Sequence, residues 1–396
     1  MKYLTILFLI ITQLDCYSLN RDTISKKTAK AELISSFYGS VGSTHLPVNF
    51  FNKIYFGGYI DESEKGNSFL IAKNQRSGFE TDMKFGVNIY NKNNELNGWY
   101  FSIQNKISMA GKYQQGLYDL IFRGNKDLNQ QISIGNTNFH FRNHQLINLG
   151  KFYENFSFGL VIGNILQEYN GCFGENDLID FNNYYNWNVV INPNISFVRN
   201  NNNTFLKNGN SLGLNFKMKN KFKTTNLEYE IELKNLGLML IHSNVETINY
   251  DTSFTYAGFS FYQITNITNF SSEISTSFQP DSSTNRIIST TPFEVKFNVV
   301  KSLNNLELFA GTFYRNNSQY LPKSYFWFNF RNERKLNYGS NLSYGGYNKF
   351  QWGINTSYHT EKLNAQIVLH NCIGLIPSLG RSFGIVLNLN WKIRWK

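Results

Sequence analysis

Glu228, Glu230 and Glu232 stand two residues apart, with Tyr229 and Ile231 between them. On a strand that spacing puts three carboxylates on one face, because side chains alternate with period two. A carboxylate ring facing a channel favours cations. Facing lysines such as Lys217 on the preceding strand, the same ladder is structural charge balance, the reading favoured here. His140 and His144 have the i, i+4 spacing of a zinc-binding helix. The stretch around them, "FHFRNHQL", reads instead as a strand. There the two rings lie about 13 Å apart, with no cysteine or carboxylate close in sequence to complete a site. No G-x-S-x-G nucleophile elbow occurs, and Gly57-Gly58 and Gly345-Gly346 lack phosphate-loop spacing. No catalytic residue, metal or cofactor is assigned, and the chain is read as a non-enzyme.

The elements that carry these residues announce themselves most clearly at the C-terminus. In "FGIVLNLNWKIRWK" Phe383, Ile385, Leu387, Leu389, Trp391 and Trp395 share one parity, while Asn388, Asn390 and Lys392 share the other. The twelve residue steps from Phe383 to Trp395 extend about 40 Å at about 3.4 Å each. Tilted by about 40°, they project to roughly 30 Å, the height of an outer-membrane barrel's apolar band with its girdles. The first set is therefore read as facing lipid. Asn388, Asn390 and Lys392 are read as facing the lumen, as are Glu228, Glu230 and Glu232. The same alternation recurs at 83–89, 156–162, 212–218, 227–233, 293–299, 350–358 and 363–369, with charges held to one parity. Counting back from the C-terminus, the links at 359–362, 332–335 and 301–305 fall on one side and are short. Those at 371–381 and 315–324 fall on the other and are longer, although 345–349 is short there too. Short inner turns and long outer loops are the barrel habit.

The N-terminus, "MKYLTILFLIITQLDCYS", has a basic start and a short apolar run, and reads as a secretory signal peptide (1–18) cut between Ser18 and Leu19. Past it no apolar run approaches the roughly 20 residues a membrane helix needs, which leaves a closed barrel as the spanning solution. Residues 19–45 read as a polar lead-in and 46–396 as the barrel. Loops or plugs are expected near 164–185, read as a loop or short helix, and near 264–291. Only six prolines accompany 35 Phe and 24 Tyr, which suits strands joined by Asn-rich turns. The net charge of +11 is dispersed, with no basic stripe for nucleic acid. Cys172 and Cys372 fall in expected loops; they are read as buried thiols, with a disulfide between them left open.

Several phrases resemble an outer-membrane β-barrel family of Bacteroidota defined as a domain of unknown function. They are "LYDLIFRGNKDL" (117–128), "INLGKFYENFSFGLVIGNI" (147–165), "KNLGLMLIHSNVETINYDTSFTYAGFSF" (234–261) and "LHNCIGLIPSLGRSFGIVLNLNWKI" (369–393). Leu236-Gly237 and Thr252, Phe254 and Gly258 fit the family's turn and Thr-x-Phe-x-x-x-Gly stretch. His242 stands where a Trp is usual, and Lys396 follows the aromatic that commonly ends such chains. The resemblance implies a transmembrane antiparallel β-barrel of about 14 strands in the outer membrane of a Gram-negative envelope. It is similar in plan to fatty-acid-transporter-like barrels and to barrels associated with type IX secretion. It supplies no ligand and no catalytic residue.

The expected role is a passage for a small or apolar solute, or a scaffold for a secretion or surface-protein complex, with outer-membrane lipid as partner and no nucleic acid. Two other readings stay open: a secreted or periplasmic all-β binding module, which would be water-soluble, and a barrel lipid hydrolase.

Overall fold

A computed structural model describes residues 30–61, 65, 74–91, 94–123, 131–181, 187–198, 208–222, 227–249, 252–256, 281–316, 319–331 and 335–393. Fourteen wall positions close on themselves, every pairing antiparallel. The wall runs β1 (Ala31–Ser43), β2 (Asn74–Asn91), β3 (Asn94–Gln114), β5 (Asn138–Phe152), β6 (Phe156–Cys172), β10 (Gly209–Lys221) and β11 (Leu227–Asn249). It continues through β14 (Glu294–Leu303), β15 (Leu306–Arg315), β16 (Leu321–Arg331), β17 (Leu336–Gly346), β18 (Asn348–His359), β19 (Leu363–Leu369) and β20 (Ser382–Ile393). The last strand pairs with the first, Ile393 opposite Ala31, and β6 pairs with β10. Closure removes the unpaired edges that hydrocarbon could not satisfy.

Ala31 and Ile393 lie at the same end of the cylinder, called here the terminal end. The links there are 92–93, 153–155, 222–226, 304–305, 332–335 and 360–362, all short. At the far end the chain makes longer excursions. Between β1 and β2 stands α1 (Val48–Phe56); between β3 and β5 stand α2 (Gln115–Phe122) and β4 (Gln131–Ser133). Between β6 and β10 lie β7 (Leu178–Asp180), β8 (Trp187–Ile191) and β9 (Asn194–Val198), and β12 (Thr252–Tyr256) follows β11. Strands β4, β7, β8 and β12 form a small second sheet. The single-residue link at Tyr347 is the short far-end turn, and Gly345 and Gly346 there take positive φ (112° and 77°), open to glycine at little cost.

Three local events shape the wall. Asn235, at φ 53°, is a bulge in β11, opposite the register shift between Leu214 and Phe216 of β10. Its extra residue flips the pleat. Before it Tyr229, Ile231 and Leu233 share a parity opposite the buried Glu230 and Glu232; after it Leu236 and Leu238 point out, and Met239 and Ile241 are buried. Leu166 makes a similar bulge in β6. Pro292 splits β13 (Asp281–Thr290) from β14, since proline offers no N–H to the ladder. β13 and β9 extend the wall beside the far half of β11, where Ile165, Val198, Met239 and Ile241 pack with Ile287. The half of the wall from β2 to β11 is therefore tall, with 23 residues in β11 and 21 in β3, against 7 to 12 in β15 to β20.

Several expectations need correction. Residues 31–43 are not a lead-in but the strand that closes the barrel, so the barrel begins before residue 46. Residues 164–172 continue β6, and the loop or helix expected there starts only after Cys172. Within 264–291, residues 281–290 are strand β13, and 264–280 lie outside the described residues. Cys172 ends a strand and is exposed, Cys372 is half-buried, and both are free thiols. Ser18, Leu19 and Trp395 lie outside the described residues.

The two faces of the wall differ as a transmembrane barrel requires. Leu214 and Leu238 are 57% and 61% exposed on the outside, while Glu80, Glu168 and Glu230 are buried inside. Among the described residues no helix is long and apolar enough to cross a membrane.

Candidate functional site

The lumen carries the chemistry. Strands deliver its side chains at every second position, so each charged group below sits between outward apolar neighbours on its own strand. A circular wall of 14 strands, spaced about 4.8 Å and tilted about 40°, would be roughly 28 Å across. One Arg–Glu pair cannot bridge that distance. Yet Arg315 of β15 pairs with Glu80 of β2, seven strands away around the wall and thus diametrically opposed. The section is flattened where these strands meet.

Arg315 is the hub of this bridge. Its Nη2 lies 3.0 Å from Glu294 Oε1, and its Nε donates to the same oxygen at 3.1 Å. Its guanidinium also lies over the rings of Phe313 and Tyr320, 5.2 and 5.4 Å from their centroids. Glu294 in turn pairs with Lys106 of β3, across the lumen from β14. Beside them Gln104 Nε2 donates to Asp82 Oδ2 at 2.6 Å. Glu80, Arg315, Glu294 and Lys106 form an alternating string, so each desolvated charge has an opposite one in contact.

A second cluster lies beside the bulge of β6. Arg142 Nε donates to Glu168 Oε1 at 2.7 Å, Asn170 Nδ2 donates to the same oxygen at 3.0 Å, and His144 Nε2 stands 3.3 Å from Oε2. Reading the sequence missed this group because Glu168 was placed in a loop. The available signal was the inward parity of His140, Arg142 and His144, which requires an acid on a neighbouring strand. Among the described residues no three His, Cys, Asp or Glu side chains gather as a metal site.

The glutamate ladder is a third cluster. Lys217, the partner suggested by the sequence, lies 3.2 Å from Glu230, and Lys219 lies 3.3 Å from the same carboxylate. Lys234 reaches Glu232 at 3.5 Å, and Lys296 sits opposite Glu232 in the pairing of β14 with β11. Asn298 Nδ2 donates to Glu230 Oε1 at 3.3 Å, and the Tyr325 hydroxyl donates to Asn298 Oδ1. Glu228 sits nearer the terminal rim, half-exposed and 2.6 Å from Lys221.

On β20, Asn388 is buried and donates to Gln366 Oε1 at 2.9 Å, while Asn390 and Lys392 are half-buried. Of its opposite parity Trp391 is 57% exposed, and Phe383, Ile385 and Leu389 are partly exposed. Leu387 departs from this: flanked by Phe37 and Ile367, it is only 4% exposed. It shares the outward parity, but neighbouring side chains cover it.

At the far end α1 caps part of the mouth. Phe50 packs against Tyr118 and Phe122 of α2, and the N–H groups of Val48 and Asn49 donate to the carbonyls of Gly380 and Pro377 in the β19–β20 loop. His45, buried where β1 hands over to α1, has its pKa lowered by burial first and then by the positive charges of Arg381 and Lys349. Protonation of His45 is therefore disfavoured in the folded state. Its contribution to stability is complete above the ordinary histidine value and is lost as pH falls towards the lowered one. The thermal unfolding midpoint should fall between pH 7.5 and 5.5, and His45→Gln should flatten that fall. An unchanged slope in the variant would remove His45 from the account.

The chain matches no family model and no curated protein. Among solved structures it is similar to a FadL homologue of Pseudomonas aeruginosa, at 10% identity and a TM-score of 0.40, covering 92% of this chain and 90% of that one. It is similar to the toluene transporter TbuX of Ralstonia pickettii, at 6% identity and a TM-score of 0.40, with the same coverages. The translocator domain of the autotransporter NalP from Neisseria meningitidis is similar at 7% identity and a TM-score of 0.33, covering 92% and 90%.

Proposed function

We propose that this chain is an integral outer-membrane barrel that passes a small or apolar solute through a lumen held shut at its far mouth by ion pairs. The observation that carries this reading is the wall itself: a closed cylinder with exposed leucines outside and paired, buried charges inside. Exposed leucines at mid-wall would cost a water-soluble binding module dearly, and lipid covers them at no such cost. The terminal end, with its short links, faces the periplasm, and the helical cap faces outward. The string Glu80–Arg315–Glu294–Lys106 is the gate. No catalytic step is assigned to the chain.

Envelope fractionation, an unboiled gel and bilayer conductance test this together. The protein is expected to stay with carbonate-washed membranes and to migrate faster unboiled. It is also expected to conduct poorly until the gate is cut. Release of the mature chain into buffer without detergent would end the proposal.

The scaffold role is a second reading, favoured by the outer face of α1 and the turn after it. There Tyr55 is 83% exposed, beside the exposed Phe56 and Tyr59. Exchanging these three residues for serine would dissolve a native high-mass complex under that reading and leave conductance unchanged.

A further inference from the structure

Lys323, near the far end of β16, differs from the lumen cations of the three clusters described above. Lys106, Arg142, Lys217, Lys219, Lys234 and Arg315 each touch a carboxylate. Among the described residues Lys323 instead donates to the neutral Gln351 Oε1, at 2.7 Å, and the charge whose field reaches it most is the like-charged Arg315. A half-buried ammonium inside the wall, with no opposite charge in contact, leaves room for an anion to balance it.

Lys323 borders a cavity of about 30 Å³, lined also by Tyr38, Tyr320, Tyr347, His370 and Asn371. That volume suits two or three water-sized bodies, at about 10–15 Å³ each. Two groups of the lining keep donor capacity, while the Asn371 amide N–H is taken by Ser382. An ammonium has three N–H groups, and Gln351 takes one. Tyr38 accepts the Ser40 hydroxyl at 2.8 Å, which leaves its own O–H to donate. Walls of aromatic ring hold the space open: His370 meets Tyr38 and Trp327 edge-on, and Tyr320 meets Tyr347 edge-on. Among the described residues the cavity lining contains no Asp or Glu. A cation, phenol donors and a volume of a few atoms describe an anion site.

We propose that this cavity binds a small monovalent anion, of chloride or formate size, against the Lys323 ammonium and the Tyr38 hydroxyl. The bound anion completes the charge balance of the far mouth, next to the Arg315 hub. The site is independent of any solute that crosses the barrel.

The test uses the full mature barrel refolded in detergent. Its thermal unfolding midpoint is followed as sodium gluconate is exchanged for sodium chloride, or for sodium formate, at constant ionic strength. Chloride, formate or both should raise the midpoint saturably, and which of them does so identifies the anion. Gluconate, too large for the cavity, is the reference. Lys323→Met should weaken the half-saturation by about tenfold or more, the scale of a lost charge-assisted hydrogen bond, and Tyr38→Phe should weaken it less. No saturable difference among the three salts, or the same half-saturation in Lys323→Met, overturns the proposal. Should Lys323→Met fail to refold, wild-type crystals grown in bromide decide. Anomalous density between Lys323 and Tyr38 supports the site; its absence there, together with no formate density at that place in crystals grown in formate, overturns it.

Discussion

Replacing Arg315 with alanine is expected to unlock the far mouth and to destabilise the barrel by about 3–5 kcal/mol, the cost of stripping one partner from a buried ion pair. The size follows from what Arg315 holds. Its guanidinium neutralises Glu80, which is buried, and Glu294, and it rests over two aromatic rings. Without it, two carboxylates face one another across the flattened section, with Lys106 in contact with Glu294 and Lys234 opposite it on β11 as the remaining nearby cations. They must then repel or draw in water, and either response separates β2 from β15. Two measurements read this. The temperature at which the fast-migrating unboiled band converts to the slow one should drop, and bilayer conductance should rise from near zero. Exchanging the charges, Glu80→Arg with Arg315→Glu, should restore part of the thermal stability, because the cross-lumen pair is rebuilt with its sign reversed. An Arg315→Ala barrel that keeps both its conversion temperature and its low conductance would show that the pair closes nothing.

This bridge could not be read from the sequence. Parity shows that Glu80, Lys106, Glu294 and Arg315 lie on charged faces of their strands. It does not show that β2 stands opposite β15, because that depends on how many strands close the wall. Local features were readable. The alternation of β20, the lysine beside Glu230 and the alternation of link lengths all follow from neighbours in the chain or on the adjacent strand. Strand β1 was missed for a physical reason. Its outward face carries Ser35 and Gly39 among Leu33, Phe37 and Val41, so the apolar period is diluted, and Phe37 lies over Gly39 to fill the gap. The far half of β6 was missed because the bulge at Leu166 shifts Glu168 onto the inward face, which breaks the count a fixed period relies on. The anion cavity was invisible for the reason the bridge was: Tyr38, Lys323 and His370 come from three separated strands or their ends.

Leu214→Arg should be the more damaging of two matched changes on the outer surface, and the comparison tests the membrane directly. Leu214 lies in a row with Leu160 and Leu236, all exposed. Leu160 is four residues above Phe156, so the row stands roughly 10 Å up the barrel axis, at about 3.4 Å per residue and a tilt of about 40°. An apolar band about 25 Å tall places that row near its middle. An arginine there has to be held in hydrocarbon, which costs about 2–4 kcal/mol, whereas near the interface the cost falls to about 0–1 kcal/mol. Leu336, the first residue of β17 and exposed at the terminal rim, supplies the matched control. In lipid vesicles Leu214→Arg should lower folding stability by those few kcal/mol while Leu336→Arg changes it little. In water the ordering would vanish, because an exposed arginine pays no penalty at either height. Equal effects at the two positions would therefore place water, rather than acyl chains, against the leucines of the wall.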